Sequence, residues 1–194
     1  MMHASVSSKD RMIEAAIDLM RASGLSGAGI NDVLLHSGAP RGSLYHHFPG
    51  GKLQMAHEAL TIQGARMQSF IDQALRSSPV ERDKVIALFD AFARRVEEAQ
   101  FRKSCALGCV ALDLDQDTDR LREVVAQSFA AWQLTIDAHF ASLGSQGAAE
   151  FASLLLTGIE GAYVRARAEH SSEAFHEAGR WMCRLVPEHA AGAL

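Results

Sequence analysis

Apolar positions recur along this chain at intervals of three and four residues, and no run alternates convincingly between apolar and polar, so the pattern predicts helices nearly throughout. Met12, Ile13, Ala16, Leu19 and Met20 form a first stripe, opened by the capping-box-like pair Ser7 and Asp10 and ending before Gly24. Ile30, Val33 and Leu34 give a short second helix that Ser37-Gly38 breaks. Gly38 can supply the positive φ of a tight interhelical turn, Ala39 is small enough for a close helix crossing, and Pro40 suits a first helical turn because its missing N–H has no partner to lose there. A third helix then spans about Pro40 to His47, with Leu44 and Phe48 inward. After the turn Pro49-Gly50-Gly51, a long helix begins at Lys52 and runs through Met55, Leu60, Ile62, Met67, Phe70, Ile71 and Leu75.

The second part of the chain repeats the helical period with different punctuation. Ser78-Pro79-Val80-Glu81 reads as N-cap, first-turn proline and capping glutamate ahead of a helix carrying Val85, Ile86, Leu88, Phe89, Phe92 and Val96. Phe101 to Ser104 is a polar break, and Cys105 to Leu114 is a short, nearly uncharged helix. Asp115 to Thr118 is a turn that caps a helix bearing Leu121, Val125, Phe129, Trp132, Ile136 and Phe140 before Gly144. Two more helices are expected at about Gln146 to Ala168 and Ser172 to Val186. The fold class is all-α, with an N-terminal three-helix unit at residues 1–51 and a second helical domain at 52–194.

The exposed face of the third helix carries the chemistry. Pro40, Arg41, Gly42, Ser43, Tyr45 and His46 face outward while Leu44 and Phe48 do not, and Arg, Ser, His and Tyr side chains suit base edges and phosphates in a duplex groove. Between Val33 and His57 there is no carboxylate, although Arg41, Lys52, His36, His46, His47 and His57 all lie there. A surface for a polyanion must exclude carboxylates. Lys52 stands at the start of the long helix, where the free N–H groups and the macrodipole also favour a phosphate. Adjacent histidines point about 100° apart on a helix, so His46 and His47 do not share one metal. The arrangement is that of a helix-turn-helix reader of double-stranded DNA.

Asp32-Val33, Ser37-Gly38-Ala39, Gly42 to Phe48 and Lys52 resemble the N-terminal signature of the tetracycline-repressor (TetR) family of bacterial transcription regulators. The variant running from Ala39 to Lys52 is similar to its LmrA/YxaF-like subgroup. Gly29 departs from the pattern, since many relatives carry at that position a Thr or Ser that caps the helix and can touch phosphate. The resemblance implies a homodimeric repressor released from its operator by a small hydrophobic or aromatic effector, with efflux or detoxification genes under its control. Around Cys105 and Ala111-Leu112-Asp113 the chain also resembles a Gly-Cys-Pro segment of the subgroup, with Ser104 and Ala106 replacing the flanking Gly and Pro.

Three further readings remain open at this level. Phe89, Phe92, Leu107, Cys109, Phe129, Trp132 and Phe140 either line an effector pocket or simply fill a core. Phe151, Leu155, Gly158, Ile159, Ala162, Tyr163, Phe175, Trp181 and Met182 either form a two-fold interface, in which two helices from each subunit make a four-helix bundle, or pack within one subunit. The dimer is favoured, because two reading heads roughly 34 Å apart can read a palindrome and one head reads too little. Cys105 and Cys109, at i and i+4, and Cys183 are either inert buried thiols or the basis of a redox sensor.

Composition narrows the classes. With 194 residues and 48% hydrophobic content the chain can bury its core without staples, and a net charge of −4 argues against indiscriminate coating of nucleic acid. Its first ten residues lack the apolar core of a signal peptide, no apolar run reaches a membrane span, and three cysteines point to a reducing compartment, so a cytoplasmic location is expected. A helical enzyme is the competing class, but no nucleophile–base–acid set and no phosphate-cradling glycine loop stands out. No cofactor or metal is expected. The alternating Asp113, Asp115, Asp117 and Asp119 lack the Gly and terminal Glu of a calcium loop and read as a solvated turn.

Overall fold

The computed structural model describes residues 7–187, so the outermost parts of the two expected domains, and the first six of the ten residues read for a signal peptide, lie outside the described residues. Among those residues there are helices and turns and no strand. In chain order the helices are α1 (Ser8–Gly27), α2 (Ile30–Ser37), α3 (Arg41–His47), α4 (Gly51–Leu75), α5 (Glu81–Glu98), α6 (Ala106–Leu112), α7 (Arg122–Asp137), α8 (Gly144–Glu169) and α9 (Glu173–Met182). No helix among them is long and apolar enough to cross a membrane.

The chain forms two compact units, and both are discontinuous in sequence. Residues 7–66 and 103–128 make the first; residues 67–102 and 129–187 make the second. The units therefore do not divide at residue 51/52, because the segment carrying α6 packs on α1. The ties are specific. Lys103 pairs with Asp18 at 3.0 Å, the backbone N–H of Ser104 donates to the Arg21 carbonyl at 2.8 Å, and Arg21 Nε donates to the Ser104 carbonyl at 3.3 Å. Asp113, just past α6, accepts from the Ser26 N–H at 2.9 Å and from its hydroxyl at 3.1 Å. These bonds hold a kink in α1, where Gly24 has φ 69° and ψ −168°, a conformation essentially reserved for glycine. The first unit buries Met12, Met20, Val33, Leu44, Phe48, Leu60, Leu107 and Leu121 completely. At roughly 1.5–3 kcal/mol for each large apolar side chain, that core is what holds α1, α2 and α3 together.

Helices α5, α8 and α9 form the body of the second unit. Phe92 sits among Phe70 (ring centroids 5.2 Å), Tyr163 (5.8 Å) and Phe175 (6.3 Å), and Phe140 packs edge-on to Phe151 at 5.1 Å. Small residues bring the helices close. A side chain at Gly158 would meet the Met182 methyl at 2.5 Å, and one at Gly179 would meet Phe89 at 3.0 Å.

Three local expectations shift. Helix α5 starts at Glu81 rather than being capped by Ser78, because the Ser78 hydroxyl closes a turn by accepting from the Val80 N–H at 3.1 Å, and Glu81 accepts instead from Ser142. Cys105 is not inside α6 but is its N-cap, its sulfur accepting from the Gly108 N–H at 3.4 Å. Helix α7 ends at Asp137, so Phe140 lies in the turn that follows. The acidic turn is held by its own backbone, Asp115 Oδ1 accepting from the Asp117 and Thr118 N–H groups and the Thr118 hydroxyl.

Candidate nucleic-acid interface

The α2–turn–α3 unit is built by short-range rules. Gly38 ends α2 with φ 62° and ψ 20°, in the left-handed region where a residue with a Cβ is strained. Around it the Ser37 hydroxyl accepts from the Ala39 N–H at 3.2 Å, and Arg11 of α1 donates to the Ser37 carbonyl at 3.0 Å, so the turn is braced from the first helix. Leu44 and Phe48 anchor the other face of α3 with no exposed surface. His47 is half-buried against α1, where Nε2 lies 2.8 Å from the Ser8 hydroxyl; it belongs to the brace rather than to the open face.

On the open face, Pro40, Arg41, Gly42, Tyr45 and His46 are exposed, while Ser43 and Lys52 are half-buried. Pro40 is the N-cap of α3 rather than its first helical residue. The Ser43 hydroxyl donates to the Pro40 carbonyl at 2.6 Å, leaving its lone pairs for a donor such as a base amino group. Two residues that sequence reasoning did not single out share the surface. Leu35 of α2 is 79% exposed, and Asn31 accepts a hydrogen bond from Arg41 Nη2 at 2.9 Å. Nothing local could pair residues ten apart across a turn before the crossing of α2 and α3 was known. Gly29 caps α2 without a side-chain hydrogen bond, as a glycine must.

At the start of α4, Gln54 Oε1 accepts from the Gly50 N–H at 2.8 Å, and its amide donates to Glu58 at 2.9 Å. Glu58 also pairs with Lys9 at 2.8 Å, and Lys9 lies over the Phe48 ring at 5.5 Å. Partial burial alone pushes the Glu58 carboxyl up, but the bonds from Lys9 and Gln54 outweigh it and hold it below its ordinary value of 4.5. The first carboxylate after the acid-free stretch is thus already engaged.

The other candidate residues fall out by unit. Phe89, Phe92, Trp132 and Phe140 are buried in the second unit and Phe129 is half-buried beside Trp132 at 5.1 Å; Leu107 and Cys109 belong to the first unit. Of the residues expected at an interface, Phe151, Leu155, Ile159, Ala162, Tyr163 and Phe175 are buried within the second unit, and Gly158 faces Met182 and Phe89. Trp181 is 66% exposed. Leu185 after α9, which the apolar stripe also placed at the interface, is exposed, as are Leu154 and Val164 on α8, which the sequence pattern did not select.

The geometry is that of a DNA-reading helix-turn-helix on a helical body, and comparison with known proteins gives the same class. Residues 12–59 match the family described as bacterial regulatory proteins, tetR family, and residues 79–181 match the family described as transcriptional regulator LmrA/YxaF-like, C-terminal domain. An uncharacterized helix-turn-helix-type transcriptional regulator of Mycobacterium tuberculosis is 32% identical over 166 residues, covering 82% of this chain and 84% of the relative. A regulatory protein TetR from Rhodobacter sphaeroides has the same fold, with a TM-score of 0.83 at 20% identity over 91% of this chain and 97% of that one. The TetR-family regulator CifR, solved as a cysteine mutant complexed with 26bp double-strand operator DNA, aligns with a TM-score of 0.78 at 20% identity over 96% of this chain and 100% of its own. The chain belongs to the TetR family of bacterial transcriptional regulators. Within it, the second half places the chain in the LmrA/YxaF-like group.

Proposed function

We propose that this regulator is a homodimeric repressor that reads a palindromic operator with α3 and is released by a small hydrophobic or aromatic effector. The observation that carries the reading is the exposed face of α3, where Arg41, Tyr45 and His46 are open to solvent in a stretch that lacks any carboxylate from Val33 to His57. Arg41 and Ser43 serve as the base or nearby phosphate readers, with Pro40 and Gly42 giving the backbone close approach and Tyr45, His46 and Lys52 positioning the head on phosphates. No bond is made or broken. The exposure of Leu154, Val164, Trp181 and Leu185 supports an isologous interface through α8 and α9, with the Arg184 guanidinium stacked on Trp181 at 4.3 Å.

The effector enters the aromatic second unit. Because Phe89, Phe92 and Phe140 are already packed, it acts by selecting a different packing, and α4, which supplies residues to both units, carries the change. A coupling of about 1–3 kcal/mol weakens operator binding roughly five- to 150-fold. The test is a gel shift of the full-length protein on DNA flanking its own gene, at stated salt, against an unrelated duplex. Specific, salt-sensitive binding that Arg41→Ala weakens at least tenfold is expected; no preference over the competitor would sink the reading.

A further inference from the structure

Arg41 does not leave α3 unsupported. Its Nη2 donates to Asn31 Oδ1 at 2.9 Å, from an exposed residue in the first turn of α2. From this contact we infer that Asn31 is the positioning residue that sets Arg41 for its target base, an inference that rests on the reading role proposed for Arg41.

The chemistry of the pair suits that task. A free arginine gives up substantial rotamer entropy when it is ordered, so a tether present before DNA arrives lowers the ordering cost of the contact. The tether uses one of five N–H donors, and the rest of the fork stays available for the O6 and N7 acceptors of a guanine or for a phosphate oxygen. Asn31 is also neutral. A carboxylate at the same distance would orient the guanidinium equally well but would cancel the charge that a polyanion must meet. The next residue in the chain, Asp32, turns its carboxylate to Gly29, within 2.7 Å of where a Cβ would stand, and forms no ion pair with Arg41 among the described residues. Arg41 is therefore held without being neutralised.

The experiment selects binding duplexes from a randomised pool with full-length wild type, Arg41→Ala, Asn31→Ala and Asn31→Asp, then titrates each protein on the selected consensus at two salt concentrations. Arg41→Ala should flatten one base position in each half-site by roughly five- to 150-fold. Asn31→Ala should flatten the same position about three- to fivefold and no other, the net size of one solvent-exposed hydrogen bond. Asn31→Asp keeps the acceptor, so it should keep the preference while lowering affinity and making it less steep in salt. If Asn31→Ala binds nothing while Asn31→Asp keeps the preference, the acceptor is what matters and the inference stands. Wild-type sharpness in Asn31→Ala, or loss of the preference in Asn31→Asp, overturns it while leaving Arg41 its role. Should Arg41→Ala flatten no position, the reading role itself fails and the inference falls with it.

Discussion

Substituting Gly24 by alanine tests whether the kink in α1 and the α6 segment form one mechanical unit. Gly24 has φ 69° and ψ −168°, and the strain of placing an L side chain there is about 1–3 kcal/mol. The new Cβ would also lie 2.4 Å from Asp113 Oδ2, so the carboxylate must retreat by roughly 1 Å to reach ordinary contact. Asp113 cannot do so and keep its bonds to the Ser26 N–H at 2.9 Å and hydroxyl at 3.1 Å, each worth about 1 kcal/mol net. Alanine loses less entropy on folding than glycine, which returns about 0.4–1 kcal/mol. The net cost is about 2–5 kcal/mol. Both tryptophans, Trp132 and Trp181, belong to the second unit, so fluorescence misses a loss confined to the first. The readout is urea unfolding by circular dichroism together with hydrogen exchange of the amides of residues 21–28 and 104–113. In a cycle with Asp113→Ala, the double variant should cost about 1–2 kcal/mol less than the sum of the singles, because the clash and the lost bonds share one carboxylate. A Gly24→Ala variant within about 0.5 kcal/mol of wild type, or strict additivity in the cycle, would refute this account.

Trp181→Asp should shift the protein toward monomer in sedimentation equilibrium and cost operator affinity more than it costs folding, since Trp181 is largely exposed in the single chain; an unchanged dimer removes the α8–α9 patch from the interface. Glu58→Gln removes a carboxyl held below its ordinary 4.5 in the folded state, so the stability it contributes is present above pH 4.5 and is lost as the pH falls below that value. Wild type should therefore exceed Glu58→Gln by at most about 1 kcal/mol near neutrality, with the gap closing in acid; a gap that widens in acid contradicts the assignment. Phe92→Ala opens a ring-sized space at a cost of about 3–5 kcal/mol. Indole should restore part of that stability and weaken operator binding together, and restored stability with unchanged operator affinity would break the proposed coupling.

The reading head was legible in the sequence because its determinants are local. Gly38, Ala39 and Pro40 state the turn within three residues, and Leu44 and Phe48 state the buried face of α3 within five. The attachment of α6 to α1 was not, since Lys103–Asp18, Arg21–Ser104 and Ser26–Asp113 join residues more than 80 apart and each pair is ordinary surface chemistry in isolation. The small residues of α8 show a third situation. Gly158 announces a close approach, but periodicity cannot say whether the neighbour is another subunit or, as here, Met182 and Phe89 of the same unit. For the same reason Phe151, Leu155 and Phe175, the most apolar members of their stripes, lie in the unit's own core, while the less conspicuous Leu154 and Val164 face outward.

The charge distribution bears on why the proposed dimer would need two heads. Arg41 and Lys52 are the cations proposed to meet DNA on each subunit, and Arg11 and Lys9 nearby already have partners, Arg11 on the Ser37 carbonyl and Lys9 on Glu58. Four phosphate-type contacts in a dimer give a log–log salt slope of only about −3.6, since each contributes about −0.9. The chain as a whole carries −4, which further disfavours sequence-blind binding. On the proposed reading, affinity therefore does not come from charge alone but depends on both α3 helices meeting their half-sites together. In the proposed mechanism, a change of packing that alters the spacing of the two heads loses one set of base contacts whole, so a coupling of only about 1–3 kcal/mol would suffice to release the operator.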